Sequence, residues 1–103
     1  MKKLGYETNF QYTPKLVKAL SEISWKQVAL GEHHTAVLTD DRKVYTFGKG
    51  SDGQLGHGND DDIYIPTLVQ ALKEIEIKKI ECGATCTIAL STDGMVFIWG
   101  NRT

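Results

Sequence analysis

The sequence predicts an all-β repeat protein of the propeller type or a similar array. Its clearest feature is an internal repeat, because residues 14–51 match residues 66–103 at a constant shift of 52 positions, with 14 identities among 38 aligned positions. Each copy is filled by short runs rich in β-branched and aromatic residues. A period of roughly 50 residues built from short strands is typical of architectures whose repeats stack on neighbours to bury a core.

Three strands are predicted in each copy, in the same order. A glycine turn separates the first strand from the second, and a short polar connector separates the second from the third. Four of the residues at these turns recur: Gly31 with Gly83, and Asp41 with Asp93. The predicted strands are 27–30, 35–39 and 44–47 in the first copy, and 80–82, 87–91 and 95–99 in the second.

Glycines follow each third strand, and we expect them to adopt positive φ in turns. The first copy carries five of them over 48–58, and the second has Gly100. Pro14 and Pro66 then open Leu-Val-x-Ala-Leu stretches. Proline is tolerated both at the first position of a helix and on a sheet edge, so a short helical turn and an outer edge strand both remain open.

The positions of the repeats predict that the whole chain is a single region of two propeller repeats. Residues 1–13 are predicted to be the end of a preceding repeat, residues 14–65 the first repeat, and residues 66–103 a truncated second repeat. Two repeats are fewer than the three that such arrays usually need. We therefore expect either a fragment of a longer array or a chain whose ends pair with another chain, with marginal stability when isolated.

Charge and hydropathy restrict the function classes. The chain has 12 basic and 13 acidic side chains and a formal net charge of −1, so no broad positive field is available for a phosphate backbone. We expect no direct nucleic-acid binding. No apolar run approaches the ~20 residues of a membrane span, and the N-terminus has no signal-peptide core. The sequence predicts a cytoplasmic or nuclear protein.

Three patterns that suggest chemistry have simpler interpretations. Cys82 and Cys86 are replaced by Leu30 and His34 in the first copy, so we interpret them as core thiols and not as a metal or redox site. The glycines at 48, 50 and 53 fit a dinucleotide-binding pattern, but no helix follows to receive a phosphate. The acidic run at 59–62 lacks the spacing of a calcium loop. No catalytic residue, metal or cofactor is predicted.

Other polar and aromatic residues are assigned structural roles. His34 is predicted to be packed or hydrogen-bonded inside the blade, with His33 more exposed. The recurring Thr35, Thr87, Asp41 and Asp93 are expected to bond free backbone donors at turns. The aromatic residues at matched positions are expected to pack between repeats: Tyr45, Phe47, Phe97 and Trp99. The exposed acidic residues, Asp60, Asp61 and Asp62, are interpreted as a solvated loop, with contact to a basic partner as the functional alternative.

Taken together, these motifs resemble the repeat of the regulator of chromosome condensation family. The resemblance rests on a glycine, three residues, a threonine, an acidic turn, an aromatic strand and a Gly-Gln-Leu-Gly loop, and it covers nearly the whole chain. The residues of this structural repeat motif are Gly31, His34, Thr35, Gly48, Gly53, Gln54, Leu55, Gly56, Gly83, Thr87, Trp99 and Gly100.

The resemblance implies two blades of a β-propeller, each a four-stranded antiparallel unit, in an incomplete ring. It implies a non-enzymatic protein-interaction scaffold that binds a protein partner, such as a small GTPase or a chromatin protein. The family also contains a guanine-nucleotide exchange factor for a small GTPase and regions of ubiquitin ligases, so these two roles are the alternatives. Open blade edges suggest homo-oligomer formation as a further outcome.

Overall fold

The computed structural model describes residues 24–101, which form seven β-strands in two antiparallel sheets. The strands of the first sheet lie side by side in chain order, as do those of the second. One turn of 3-10 helix, Gln70–Leu72, lies between the sheets in sequence. The first sheet contains β1 (Trp25–Leu30), β2 (His34–Thr39), β3 (Val44–Gly48) and β4 (Ile63–Leu68), and the second contains β5 (Ile77–Cys82), β6 (Cys86–Ser91) and β7 (Val96–Gly100).

The predicted all-β class is confirmed, and the structure adds one strand. The six predicted strands correspond to β1, β2, β3, β5, β6 and β7, whereas β4 had been left open as a helical turn or an edge strand. Both features are present there, because Pro66 lies within β4 and a 3-10 turn begins four residues later, at Gln70. As expected for proline, β4 is an edge strand of its sheet. The corresponding stretch at 14–20 lies outside the described residues.

The two sheets repeat one another in register. His34 pairs with Gly48 in the first sheet, and Cys86 pairs with Gly100 at the equivalent positions of the second. The first two strands of each sheet also share a register shift, between Trp25 and Gln27 and, 52 residues later, between Ile77 and Lys79. The sequence repeat is therefore a repeat of strand pairing as well as of residue type.

The connectors between the second and third strands are closed by a hydroxyl and a carboxylate. Thr39 donates a hydrogen bond to Asp41 and accepts one from the backbone N–H of Lys43 at 3.0 Å. Ser91, Asp93 and the N–H of Met95 repeat this arrangement in the second sheet. The aspartates thus act locally, as expected, but they bind the hydroxyls, and the hydroxyls receive the backbone donors.

The main hydrophobic core lies between the two sheets. The first sheet contributes Ala36, Leu38 and Val44, and the second contributes Ile77, Ile80 and Ala89, all at most 1% exposed. The connection between the sheets adds Val69 and Leu72. Packing of one sheet on the next is the way in which a stack of repeats buries its apolar surface.

The sheet limits can be compared with the predicted repeat limits. The first sheet ends at Leu68, beyond the predicted division between residues 65 and 66. The first sheet has four strands, and the second has three within residues 24–101. Residues 1–13 lie outside the described part, so the division of the chain into repeats stays a prediction. Within residues 24–101, no helix has the length and apolar character required to cross a membrane.

Candidate functional site: an inter-sheet clasp and an acidic loop

The glycine loop, residues 53–58, is hydrogen-bonded to both sheets. The hydroxyl of Thr46 in β3 donates to the carbonyl of Leu55 at 2.6 Å. The hydroxyl of Thr87 in β6 donates to the carbonyl of Gln54 at 2.7 Å. Gln54 and Leu55 are both buried. The Gly-Gln-Leu-Gly motif therefore joins the first sheet to the second.

Each of these two threonines is also bonded to a histidine. His57 Nε2 lies 3.0 Å from Thr46 Oγ1, and His34 Nε2 lies 3.0 Å from Thr87 Oγ1. Because a hydroxyl has one hydrogen, and both hydroxyls donate it to a loop carbonyl, each imidazole must donate from Nε2–H. His34 Nε2 also lies 3.1 Å from the carbonyl of Cys86. His34 is fully buried, as predicted, and its ring also bonds across to the second sheet.

A glutamine outside the predicted motif makes a two-point bond between the sheets. Gln27 in β1 donates from Nε2 to the carbonyl of Ile80 at 2.7 Å, and its Oε1 accepts the N–H of Ile80 at 3.0 Å. The backbone N–H of Glu32 also donates to the carbonyl of Ala84 at 2.9 Å. These bonds connect residues 52 or 53 positions apart, so equivalent or adjacent positions of the two repeats are bonded to each other. We call the hydrogen bonds made by the side chains of Gln27, His34, Thr46 and Thr87 the inter-sheet clasp.

Two motif glycines make room for the side chain three residues later. A Cβ at Gly31 would lie 2.1 Å from His34 Cε1, and a Cβ at Gly83 would lie 2.8 Å from Cys86 Sγ. Distances below 3.0 Å are not tolerated without a shift of the neighbour. Glycine is therefore required at both positions because a neighbouring side chain lies too close for a Cβ, although that side chain is histidine in one copy and cysteine in the other.

Backbone conformation explains most of the other glycines. Gly48 and Gly100 have φ of 117° and 101°, and a Cβ at either would lie within 2.6 Å of a carbonyl oxygen of the turn before its partner strand. Gly53, Gly56 and Gly58 also have positive φ. Gly50 differs from the expectation, since its φ is not positive, and close approach to the carbonyl of Asp61 requires glycine there instead.

The aromatic residues and the remaining threonine lie in or beside the packed interior. Phe47 is fully buried and pairs with Thr35, which is also fully buried. Trp99 packs against the core and meets the glycine loop, where a Cβ on Gly56 would lie 2.7 Å from the indole nitrogen. That nitrogen is buried and has no hydrogen-bond partner within residues 24–101. Thr87 differs from the expectation for the recurring threonines, because its hydroxyl donates to the backbone carbonyl of Gln54 instead of accepting from a backbone donor.

The acidic loop, residues 59–62, is exposed and ordered by its own hydrogen bonds. Asp62 Oδ1 accepts the N–H of Gly50 at 2.9 Å, and Asn59 Oδ1 accepts the N–H of Asp61 at 3.1 Å. Within the described residues, the carboxylates of Asp60 and Asp61 make no hydrogen bond or ion pair. The three predicted contact residues therefore divide into one that holds the loop and two that face solvent.

A groove lies beside this loop on the outer edge of the first sheet. It has a volume of about 440 Å³ and is lined by the glycine loop, β4 and the 3-10 turn. Gly58 and Ile63, which flank the acidic loop in sequence, both line it. An apolar cleft is thus bordered by negative charge.

Two ionisable side chains near the clasp have shifted pKa values. Burial lowers the pKa of His57 below its ordinary value of 6.5, against the opposing effect of its hydrogen bonding at Thr46. Burial raises the pKa of Cys82 to about 12, so this thiol stays protonated at neutral pH. Both cysteines are free, and in the described region no group of three or more His, Cys, Asp or Glu side chains is placed to hold a metal ion.

Comparison with known proteins agrees with the repeat architecture. A family model described as the Regulator of chromosome condensation (RCC1) repeat matches residues 41–90, and a second model of the same description matches residues 25–54. The chain is 39% identical over 97 residues to the probable E3 ubiquitin-protein ligase HERC4 of Rattus norvegicus, covering 94% of this chain and 9% of the ligase. The first curated relatives matched are covered over 9% to 20% of their lengths.

Solved structures of other proteins share this fold. Human WBSCR16 superposes with a TM-score of 0.70 and 38% identity, covering 75% of this chain and 20% of that one. Prp20p of Saccharomyces cerevisiae, whose structure was described with its binding to Gsp1p and histones, gives a TM-score of 0.67 at 22% identity, covering 76% of this chain and 20% of that one. At that identity, Prp20p shows the fold alone. The two antiparallel sheets and the two matching repeat models together show that this chain belongs to the regulator of chromosome condensation repeat family.

Proposed function

We propose that this chain is a non-enzymatic scaffold for binding a protein partner. The proposal rests on a contrast between polar side chains that bond the two sheets together and acidic side chains that face solvent. Gln27, His34, Thr46 and Thr87 are committed to bonds within the clasp, whereas Asp60 and Asp61 face solvent on a loop with fixed geometry. A rigid sheet that presents exposed loops is the usual arrangement of a binding surface.

The chemistry of the acidic loop favours a basic partner. Two adjacent, exposed carboxylates attract lysine and arginine side chains and repel phosphate groups. Histones are rich in lysine and arginine, and they are among the proteins bound by Prp20p, which shares this fold. A basic chromatin protein is therefore the partner class that the acidic loop supports best, in a nuclear or cytoplasmic protein.

Titration of the full chain with fluorescently labelled core histones tests this proposal. The double variant Asp60→Asn, Asp61→Asn should weaken binding by about two- to tenfold, as expected for two exposed charge contacts. Asp40→Asn removes one negative charge from an exposed turn of the first sheet and should leave the affinity unchanged. Asp62 is kept because it holds Gly50. The proposal fails if wild type does not bind, or if all three proteins bind equally.

A ubiquitin-ligase region is the second candidate, favoured by the 39% identity to HERC4 over 94% of this chain. In that case the repeats would select the partner, and a catalytic domain would be encoded beside them. Guanine-nucleotide exchange is the third candidate. Acceleration of labelled guanine-nucleotide release from a Gsp1p-type GTPase would support it, and an unchanged release rate in the presence of the full-length protein would exclude it for that GTPase.

A further inference from the structure

The groove beside the acidic loop has the size and lining of a binding site. Its volume of about 440 Å³ lies within the roughly 300–1,000 Å³ typical of ligand pockets. Ile63 and Leu68 of β4 form one side, Ala71 of the 3-10 turn extends it, and the glycine loop forms the other side. Aliphatic side chains and glycine backbone dominate this lining, so the groove suits an apolar group.

The glycine loop keeps one end of the groove open. Gly58 has a φ of 84°, and no atom lies within 4 Å of the position that a Cβ would occupy. The neighbouring Gly56 is packed against Trp99, which holds the loop in place from behind. The rim of the groove at Gly58 is therefore open to solvent.

Negative charge borders the open end. The acidic loop directly connects Gly58 with Ile63, and both of these residues line the groove. The loop is restrained by the bonds from Asp62 to Gly50 and from Asn59 to Asp61, and Asp60 and Asp61 are both exposed on it. The negative charge of Asp60 and Asp61 beside an apolar cleft favours a ligand that carries both basic and apolar groups.

The histidine in the groove wall does not oppose a basic ligand. His57 donates from Nε2–H to Thr46, and burial lowers its pKa, so the neutral ring keeps Nδ1 as an acceptor. The other polar residues in the lining, Thr67 and Gln70, are uncharged. The groove therefore offers acceptors and negative charge but no fixed cation.

We propose that this groove binds an extended segment of a protein partner in which an apolar side chain is flanked by lysine or arginine. The apolar side chain enters between Leu68 and the glycine loop, and the flanking cations pair with Asp60 and Asp61. This inference deepens the proposed scaffold function and rests on it, because it assigns the partner's contact segment to a defined site.

The test uses the ¹⁵N-labelled full chain and three synthetic pentapeptides, titrated by NMR. Their central residues are Lys-Leu-Lys, Glu-Leu-Glu and Lys-Ser-Lys, each flanked by glycine. The first peptide should shift the amide signals of Gly56, Gly58 and Leu68, and each of the other two should bind at least about threefold more weakly because it lacks either the charge or the apolar contact. Equal binding of all three peptides, or shifts centred on another surface, would overturn the proposal.

Two matched substitutions separate this inference from the scaffold function. Ala71→Phe places a large side chain in the groove from an exposed position and should reduce binding of the Lys-Leu-Lys peptide and of histones by about three- to tenfold. Ala84→Phe makes the same change at an exposed turn of the second sheet and should leave both affinities unchanged. If Ala71→Phe has no effect while the Asp60→Asn, Asp61→Asn variant loses histone binding, the groove is excluded and the scaffold function stands.

Discussion

His57 shows how the fold selects one protonation state of a side chain. Its Nε2–H is donated to Thr46, and burial lowers its pKa below the ordinary value of 6.5. The folded protein therefore favours neutral imidazole. A lowered pKa means that the stabilisation is fully present above pH 6.5 and is lost as the pH falls below that value through the folded pKa.

Urea unfolding over a pH series from about 8 to 5 tests this prediction. His57→Gln retains an N–H that can reach Thr46 but does not titrate. Wild type should lose more of its free energy of unfolding than the variant on acidification, so the difference between them should change below pH 6.5. Parallel pH profiles for the two proteins would contradict the assigned pKa shift.

Residue types alone did not reveal which polar side chains form the clasp. His34 and Thr87 were singled out because they fall in the repeat motif, but their contact with each other links two copies, and a repeat pattern shows equivalence without showing contact. Gln27 was missed for a related reason. Its position is occupied by Lys79 in the second copy, so it left no signal of recurrence.

At the level of elements, six strands can be predicted from the sequence, but β4 and the groove cannot. Alternating β-branched and aromatic residues predicted six of the seven strands in residues 24–101. The sequence does not decide β4, because Pro66 and the spacing of the apolar residues after it are compatible with both a helical turn and an edge strand. The groove could not be predicted at all, since it depends on how β4, the 3-10 turn and the glycine loop come together.

The bond between β1 and β5 gives a prediction for the junction of the two sheets. Gln27→Met keeps the length of the side chain but removes both hydrogen bonds to Ile80. We expect a loss of about 1–3 kcal/mol in the free energy of unfolding, because a partly buried N–H and C=O lose their partner. Lys79→Met is the matched control at the exposed equivalent position, and it should change stability by less than about 0.5 kcal/mol.

Chemical denaturation of the two variants, followed by circular dichroism, measures this difference. A Gln27→Met protein as stable as Lys79→Met would show that the amide bond contributes nothing to the junction. A loss confined to Gln27→Met would support a specific role for the two-point bond.

In the whole molecule, β3 of the first sheet is buried where the equivalent strand of the second sheet, β7, is exposed. Val44 is buried in the core between the sheets and Thr46 is buried beside the glycine loop, whereas Val96 and Ile98, 52 residues later, are 66% and 42% exposed. Exposed apolar strands of this kind favour association with another sheet. The predicted self-association through open blade edges, and the predicted marginal stability of the isolated chain, remain predictions that molar mass and thermal melting would test.

The central claim is that the repeat motif is used to bond one sheet to the next, so that the two sheets fold as one unit. Hydrogen exchange of the His34→Ala variant, followed by mass spectrometry, tests it most directly, with the exposed neighbour His33→Ala as control. Loss of the bonds to Thr87 and Cys86 should accelerate exchange by about tenfold or more in both β2 and β6. Acceleration in β2 with unchanged protection of β6 would contradict the account.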